Sequence, residues 1–276
     1  MLFFPPAKIN IGLRILRKRS DGYHDLELSF FKVPSLCDIL EITPDTRDRF
    51  ICDGLEIPGS DQDNLVLKAR TLIDRKLNGK RPPCCIHLLK KIPMQSGLGG
   101  GSADAAYTLT GLNREFSLGI SSEDICRMAS RIGSDCAFFT QKEACIGYGK
   151  GDRLVPIPAC RKQFRLLLVV PPFGISTAEA YHLAEPMEGR TELKHLLEHE
   201  ISSWKDSIEN DFEKTLFPRF PQLAAIKQSL YEAGAIYASL SGSGTAIFGI
   251  FKNDADLNSL TLPPSCFTHQ SHIALP

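Results

Sequence analysis

No apolar run in this sequence approaches the about 20 residues that a membrane-spanning helix needs; the longest, such as LLLVV at 166–170, are far shorter. A membrane partner is not expected. The opening MLFFPPAKIN lacks the basic stretch of a secretory signal and is interrupted by Pro5 and Pro6, so export is not expected either. None of the nine cysteines stands in a C-x-x-C pair, and Cys84 and Cys85 are adjacent. Neither a disulfide framework nor a zinc ribbon follows, and a reducing, cytoplasmic compartment fits best. Net charge is absent too, with 32 basic against 32 acidic residues. Bulk attraction to nucleic acid therefore has no support. The densest basic run, RILRKR at 14–19, reads as a solvated strand end and turn.

What the chain does have is glycine in one place. Within PMQSGLGGGSADAA, residues 93–106, four glycines fall in the five positions 97–101, directly before a helical pattern. A loop so poor in side chains lets backbone N–H groups approach an anion, and a helix N-terminus adds its positive dipole end. The loop is not a Walker A motif, because no Gly-Lys-Ser/Thr closes it. Nor is it a dinucleotide fingerprint, because Ser102 stands where the third glycine belongs. A flexible linker is the competing reading, and it fits poorly with an apolar strand, IHLL, running through to SADAAYTLTGL.

With 276 residues the chain can bury a substantial core in one large or two medium domains. Ile9, Ile11, Leu13 and Ile15 alternate with Asn10, Gly12 and Arg14 as in a half-buried strand, and Leu26, Leu28 and Phe30 suggest its hairpin partner. Further strands are expected near 38–43, 48–53 and 84–92. Helices are expected from about Asn64 to Leu77 with Asp63 as cap, from Ser102 as cap through Phe116, and from the Ser121 cap to Gly133. Pro156, Pro158 and the polar residues 161–163 mark a boundary, giving domains at 1–160 and 161–276. The second contains a strand at 165–170, helices near 176–184, 191–203 and 222–233, strands at 236–240 and 245–251, a short helix, and a last strand at 267–274. Segregated strands and helices indicate an α+β fold.

Several residues could carry chemistry. Lys8 and Asn10 project from one strand face, either as a solvated edge or as a functional pair. Asp135 lies between the helix-ending Gly133 and the apolar CAFF, so it either caps or acts. SGSG at 241–244 is either hairpin chemistry or a second small-residue loop facing a nucleotide. His195 with His199, and His269 with His272, lack a third metal-ligand motif and read as solvated.

Four segments together change the weight of these readings. PAKINIGLRI with DGYHDLELSF, IPMQSGLGGGSADAA, IGSDCAFF and SLSGSGTAIFGIF are, in order and over nearly the whole chain, similar to the GHMP small-molecule kinases. Within that superfamily DGYH, GLGGGSA and GSDCAFF resemble the members that phosphorylate a cytidyl intermediate of the non-mevalonate isoprenoid route. The resemblance implies an N-terminal domain of ribosomal-protein-S5-like topology, a C-terminal ferredoxin-like domain, and ATP with Mg²⁺ as cofactors. ATP and the cytidyl substrate would meet between the domains, in a monomer or weak homodimer.

By the family's motifs, Lys8 and Asp135 correspond to the catalytic pair. Pro93, Met94, Gln95, Ser96, Gly97, Leu98, Gly99, Gly100, Gly101, Ser102 and Ala103 correspond to the ATP loop, with Asn64 and Lys90 as further nucleotide contacts and Ser102 as the protein ligand of Mg²⁺. Tyr23, His24 and Asn10 correspond to substrate contacts, with Tyr181 as a second stacking face for the base. The acceptor could instead be homoserine, mevalonate or a sugar, and a non-catalytic nucleotide- or RNA-binding module is the reading from another class. Two departures stand out: Gln95-Ser96 where family loops are often richer in glycine, and Ala103-Asp104 where Ser-Asn is common. Asp104 suits the helix dipole yet repels phosphate if it faces the loop, so it is expected to point away or to approach Mg²⁺.

Overall fold

The computed structural model describes residues 1–57, 59–60, 63–158, 162–257 and 260–276. The strands are β1 Leu2–Phe3, β2 Pro6–Ile9, β3 Leu13–Lys18, β4 His24–Cys37, β5 Ile39–Pro44, β6 Arg49–Gly54, β7 Cys84–Lys90, β8 Cys145–Gly149, β9 Arg153–Pro156, β10 Lys162–Val170, β11 Tyr237–Leu240, β12 Ile247–Phe251 and β13 Phe267–Leu275. The helices are α1 Leu65–Lys76, α2 Gly100–Glu115, α3 Ser122–Ile132, α4 Thr177–His182, α5 Leu193–Leu197, α6 Trp204–Ser207, α7 Phe212–Leu216 and α8 Pro221–Glu232. Packing divides the chain into two compact units. One holds residues 1–7, 34–94 and 99–142, the other 8–33, 95–98 and 143–276. The boundary expected at 160/161 lies outside the described residues.

The first unit is a four-stranded sheet, β1-β5-β7-β6, covered by α1, α2 and α3. Alternation along β7 explains the layer: Cys84, Ile86 and Leu88 are buried while His87 and Leu89 turn the other way. Their buried side meets Val66, Ala69 and Ile73 of α1, Leu109 and Leu112 of α2, and Ile125 and Met128 of α3. Asn64, rather than Asp63, caps α1, its Oδ1 accepting from Val66 N at 2.9 Å. Asp63 is engaged by the Ser60 hydroxyl instead. Helix α2 also starts earlier than expected, with Gly99 at a left-handed φ of 72° and no side-chain cap. Ser102 thus sits inside the first turn.

The second unit contains two sheets. One follows β2-β4-β8-β9 with β3 also on β4. The strand expected across 9–15 is split in two here, because Gly12 adopts φ 80° and turns the chain, and a Cβ there would meet Leu193 Cδ1 at 2.7 Å. Ser29 stitches the break, accepting from Ile11 N and donating to Ile11 O. The other sheet runs β11-β12-β10-β13, wholly antiparallel. In chain order that is second, third, first, fourth, the ferredoxin-like arrangement expected for this half. The expected helix over 191–203 is broken into α5 and a short 3₁₀ turn. The short helix expected before the last strand is absent among the described residues, where Pro263 and Pro264 supply no N–H to a helical ladder.

Candidate active site

In the second unit the Lys8 side chain is only 2 % exposed and Asn10 is fully buried, so the solvated-edge reading fails. Lys8 Nζ donates to Asn10 Oδ1 at 2.5 Å, and Asn10 Nδ2 donates to the Ser29 carbonyl at 2.7 Å. The two small-residue segments of this unit pack on one another beside Lys8. Lys8 N donates to Leu98 O, Ser241 Oγ donates to Gly97 O at 3.1 Å, and Ala246 N donates to Ser96 O at 2.8 Å. Gly97 must be glycine twice over: its φ is 76°, and any Cβ would collide with the Ser241 carbonyl. Asn210 fixes the partner turn by donating to the Leu240 and Gly242 carbonyls, both at 2.8 Å. A Cβ on Gly242 would come within 3.2 Å of Lys8 Nζ. SGSG is therefore more than hairpin chemistry.

Gln95 occupies a left-handed φ of 51° and lies against Gly174, while Ser96 is buried. These two departures in the loop are thus packed into the second unit.

The aromatic residues make contacts of their own. Tyr181 stacks on His24, with centroids 5.2 Å apart and planes 22° off parallel, and meets Phe212 edge-on at 5.0 Å. Tyr23 is 55 % exposed, and Lys150 Nζ lies over its ring at 4.6 Å. Burial, helped by the nearby Lys18 charge, lowers the His24 pKa below its ordinary value and favours the neutral imidazole.

In the first unit, Asn64, Lys90, Met94 and Gly101 line one cavity of about 160 Å³, together with Ile57, Asp63, Leu65, Val66, Leu88 and Asp104. Apolar walls with a few polar groups suit a flat heterocycle better than phosphate. Lys90 does not present a free cation to it. Its ammonium bonds Asp38 Oδ2 and, at 2.8 Å, Asp104 Oδ2, with all three side chains sealed from water. Burial works to lower the Lys90 pKa, and the two carboxylates outweigh it and raise it. Asp104 therefore points into the interior, toward Lys90.

Sequence reasoning missed Asp38, Lys150 and Phe212. Of these, only Asp38 gave a signal, an acid set in the apolar stretch SLCDIL.

Asp135 is half-buried in the turn after α3, where its carbonyl accepts from Phe138 N. The neighbouring Cys136 thiol is pushed up to about 12 by burial, against a hydrogen bond with the Ser102 side chain that acts to lower it. Among the described residues no three His, Cys, Asp or Glu side chains converge as a metal cage. The Ser102 hydroxyl, in the first turn of α2, offers one oxygen of the kind Mg²⁺ accepts alongside phosphate oxygens and water. His195 and His199 lie on and just beyond α5, with His195 exposed beside Glu198.

Residues 64–143 match the family model described as GHMP kinases N terminal domain, and residues 193–261 match GHMP kinases C terminal. With this α+β architecture, the two matches define the class as GHMP small-molecule kinases. A protein of Parabacteroides distasonis named 4-diphosphocytidyl-2-C-methyl-D-erythritol kinase is 40% identical over 274 residues, covering 99% of this chain and 100% of its own. A Bacteroides fragilis protein of the same name is 41% identical over 272 residues, covering 97% and 98%. The chain belongs to the family of these 4-diphosphocytidyl-2-C-methyl-D-erythritol kinases. A crystal structure of 4-(cytidine 5'-diphospho)-2C-methyl-D-erythritol kinase superposes with TM-score 0.80 at 25% identity, covering 99% of each chain. Methanococcus jannaschii mevalonate kinase, at TM-score 0.71 and 14% identity over 100% of this chain and 98% of its own, shares the fold.

Proposed function

We propose that the protein transfers the terminal phosphoryl group of ATP to the 2-hydroxyl of 4-diphosphocytidyl-2-C-methyl-D-erythritol, in non-mevalonate isoprenoid precursor synthesis. The observation that carries this reading is the full-length likeness, at about 40% identity, to relatives named for that substrate. In domain terms, residues 1–160 carry the ATP loop and the catalytic pair, and residues 161–276 form the C-terminal domain.

Phosphoryl transfer passes through a transition state whose charge spreads over oxygens, so donors and cations fixed in place do most of the work. Lys8, held by Asn10, is the cation for the transferred group. Backbone N–H groups at the start of α2 cradle the phosphates. Asp135 accepts the hydroxyl proton. An alcohol with a pKa near that of water, about 15.7, exceeds an ordinary Asp, about 3.9, by about 12 units or roughly 16 kcal/mol. Proton transfer is therefore late, and Asp135 mainly aims the hydroxyl. The Ser102 hydroxyl would be the protein ligand of Mg²⁺, which would supply neutralisation of the charge developing on the phosphates.

The cytidine base is read by His24 and Tyr181, with Tyr23 beside them. Neutral His24 offers one donor and one acceptor to a pyrimidine edge. The stacked His24–Tyr181 pair favours this acceptor over homoserine or mevalonate, which carry no aromatic ring.

An ADP-release assay with the cytidyl substrate tests the reading, and cytidine monophosphate should compete. Turnover of homoserine or mevalonate, with none of the cytidyl substrate, would replace it.

A further inference from the structure

We propose that the protein forms a two-fold homodimer in which β6 pairs antiparallel with the β6 of a second copy, centred on Ile51. Strand β6 ends the sheet order β1-β5-β7-β6, and five of its six residues are exposed. An open edge is a template for another strand, and proteins usually blunt one with lysine, proline or a bulge. RFICDG contains neither residue, and its register with β7 runs without a shift. Ile51 at its middle is 39 % exposed.

The register with β7 fixes which way each group faces. Arg49, Ile51 and Asp53 lie beside Cys85, His87 and Leu89, so their side chains share the sheet face turned away from the helices. Phe50 points the other way, into the helix-covered core. Leu55 N donates to Lys90 O, so by alternation Asp53, Ile51 and Arg49 turn their backbone groups to β7, while Cys52 and Phe50 turn theirs to the open edge.

A ladder across the edge needs edge-facing residues opposite one another. With the two-fold at Ile51, Phe50 of each copy meets Cys52 of the other, and each such pair exchanges two N–H···O=C bonds. The same register sets Arg49 directly opposite Asp53, twice by symmetry. Opposed side chains on one face lie about 4.5–5.5 Å apart at Cβ, within reach of an ion pair. Moving the centre one residue either way would set Arg49 against an apolar residue, Ile51 or Leu55, so the charges select this register. Within one copy Arg49 is held by Asp45 and Asp53 by His87, both surface pairs of small worth. The guanidinium fork can take a second carboxylate. A single strand pair buries little surface, which places the dimer at the weak, reversible end of interfaces.

Sedimentation equilibrium of the intact protein at about 0.15 M salt tests this, and wild type should show a reversible monomer–dimer equilibrium. Arg49→Glu and Asp53→Arg, each alone, put like charges opposite one another at both sites, and each should raise the dissociation constant by at least about tenfold. An equal mixture of these two variants restores an opposite-charge pair at both sites, so heterodimers should form within about threefold of the wild-type constant. Cys52→Pro removes an edge-facing N–H while sparing the ladder to β7, and it should abolish pairing alone and with wild type. Urea midpoints show whether each variant monomer is folded, and Cys52→Pro decides the matter should a charge variant fail to fold. A wild type that stays monomeric overturns the proposal. So does a dimer that the folded variants leave intact, which would run through another surface such as the open edge of β13. A mixture of the charge variants that associates no better than its components removes the register, and the proposal with it.

Discussion

Lys8 Nζ lies 2.5 Å from Asn10 Oδ1, a buried bond where β2 ends and the chain breaks before β3. Asn10 is in turn anchored to the Ser29 carbonyl, so the amide fixes where the ammonium points. Asn10→Ala should therefore act through Lys8. We expect kcat to fall by about 10- to 100-fold, in the range of a lost positioning hydrogen bond, with ADP affinity changed far less. Near-normal kcat in steady-state assays would remove Asn10 from the positioning of Lys8.

Asp135→Asn keeps size and polarity but cannot take a proton. Turnover of the cytidyl substrate should drop by about 10²- to 10⁴-fold, the usual span of general-base loss, while calorimetric ADP binding persists. Retention of a tenth of wild-type kcat would show that aiming the hydroxyl needs no carboxylate.

Gly97→Ala tests the packing of the two small-residue segments. The substitution forces a β-carbon into the Ser241 carbonyl at a φ of 76°. A destabilisation of at least about 1–3 kcal/mol is expected from backbone strain, read as a lower urea midpoint with an unchanged slope. A midpoint equal to wild type would mean that this contact yields freely.

Much of this was legible from sequence, for identifiable reasons. The 3.6 period after Ser121 set α3 directly, because that helix buries one face, and the period of two in Leu26–Phe30 marked β4 even though Glu27 and Ser29 on its other face are buried too. The break at Asn10–Gly12 was not, since Ile9, Ile11, Leu13 and Ile15 keep alternating through it and only the contact with Leu193 shows why Gly12 must turn. The Lys90 cluster was hidden for a related reason: its charges come from residues 38, 90 and 104, and pairing at that separation leaves no local pattern. The contacts of Lys150 with the Tyr23 ring and of His24 with the Tyr181 ring join residues distant in sequence and leave no local pattern either.

His24 gives a pH signature. Its pKa is lowered in the folded protein, so below the ordinary value of about 6.5 the unfolded chain binds more protons than the folded one. Its contribution to stability is present above that pH and is lost as pH falls through the window beneath it. The urea midpoint of wild type should decline relative to His24→Asn between pH 7 and 5. Parallel midpoints would show that His24 protonates as readily folded as unfolded. Tyr181→Ala, removing the stacked ring, should raise KM for the cytidyl substrate by about tenfold, matching a stacking loss of 1–3 kcal/mol per base.

The most severe loss of stability should come from Lys90→Met. The methionine fills the same space but leaves Asp38 and Asp104 buried beside each other without their cation. Removing one member of a buried ion cluster costs about 3–5 kcal/mol, because the remaining charge is uncompensated. Asp104, whose carboxyl is pushed up to about 8 by burial and by the neighbouring Asp38, can absorb part of that cost by staying neutral, whereas Asp38 keeps its two backbone donors. Adding Asp38→Asn to Lys90→Met should therefore recover more stability than adding Asp104→Asn, measured by urea midpoints at pH 7. Equal recovery by the two would mean that the proton is shared between the acids, and greater recovery by Asp104→Asn would place the charge on Asp104.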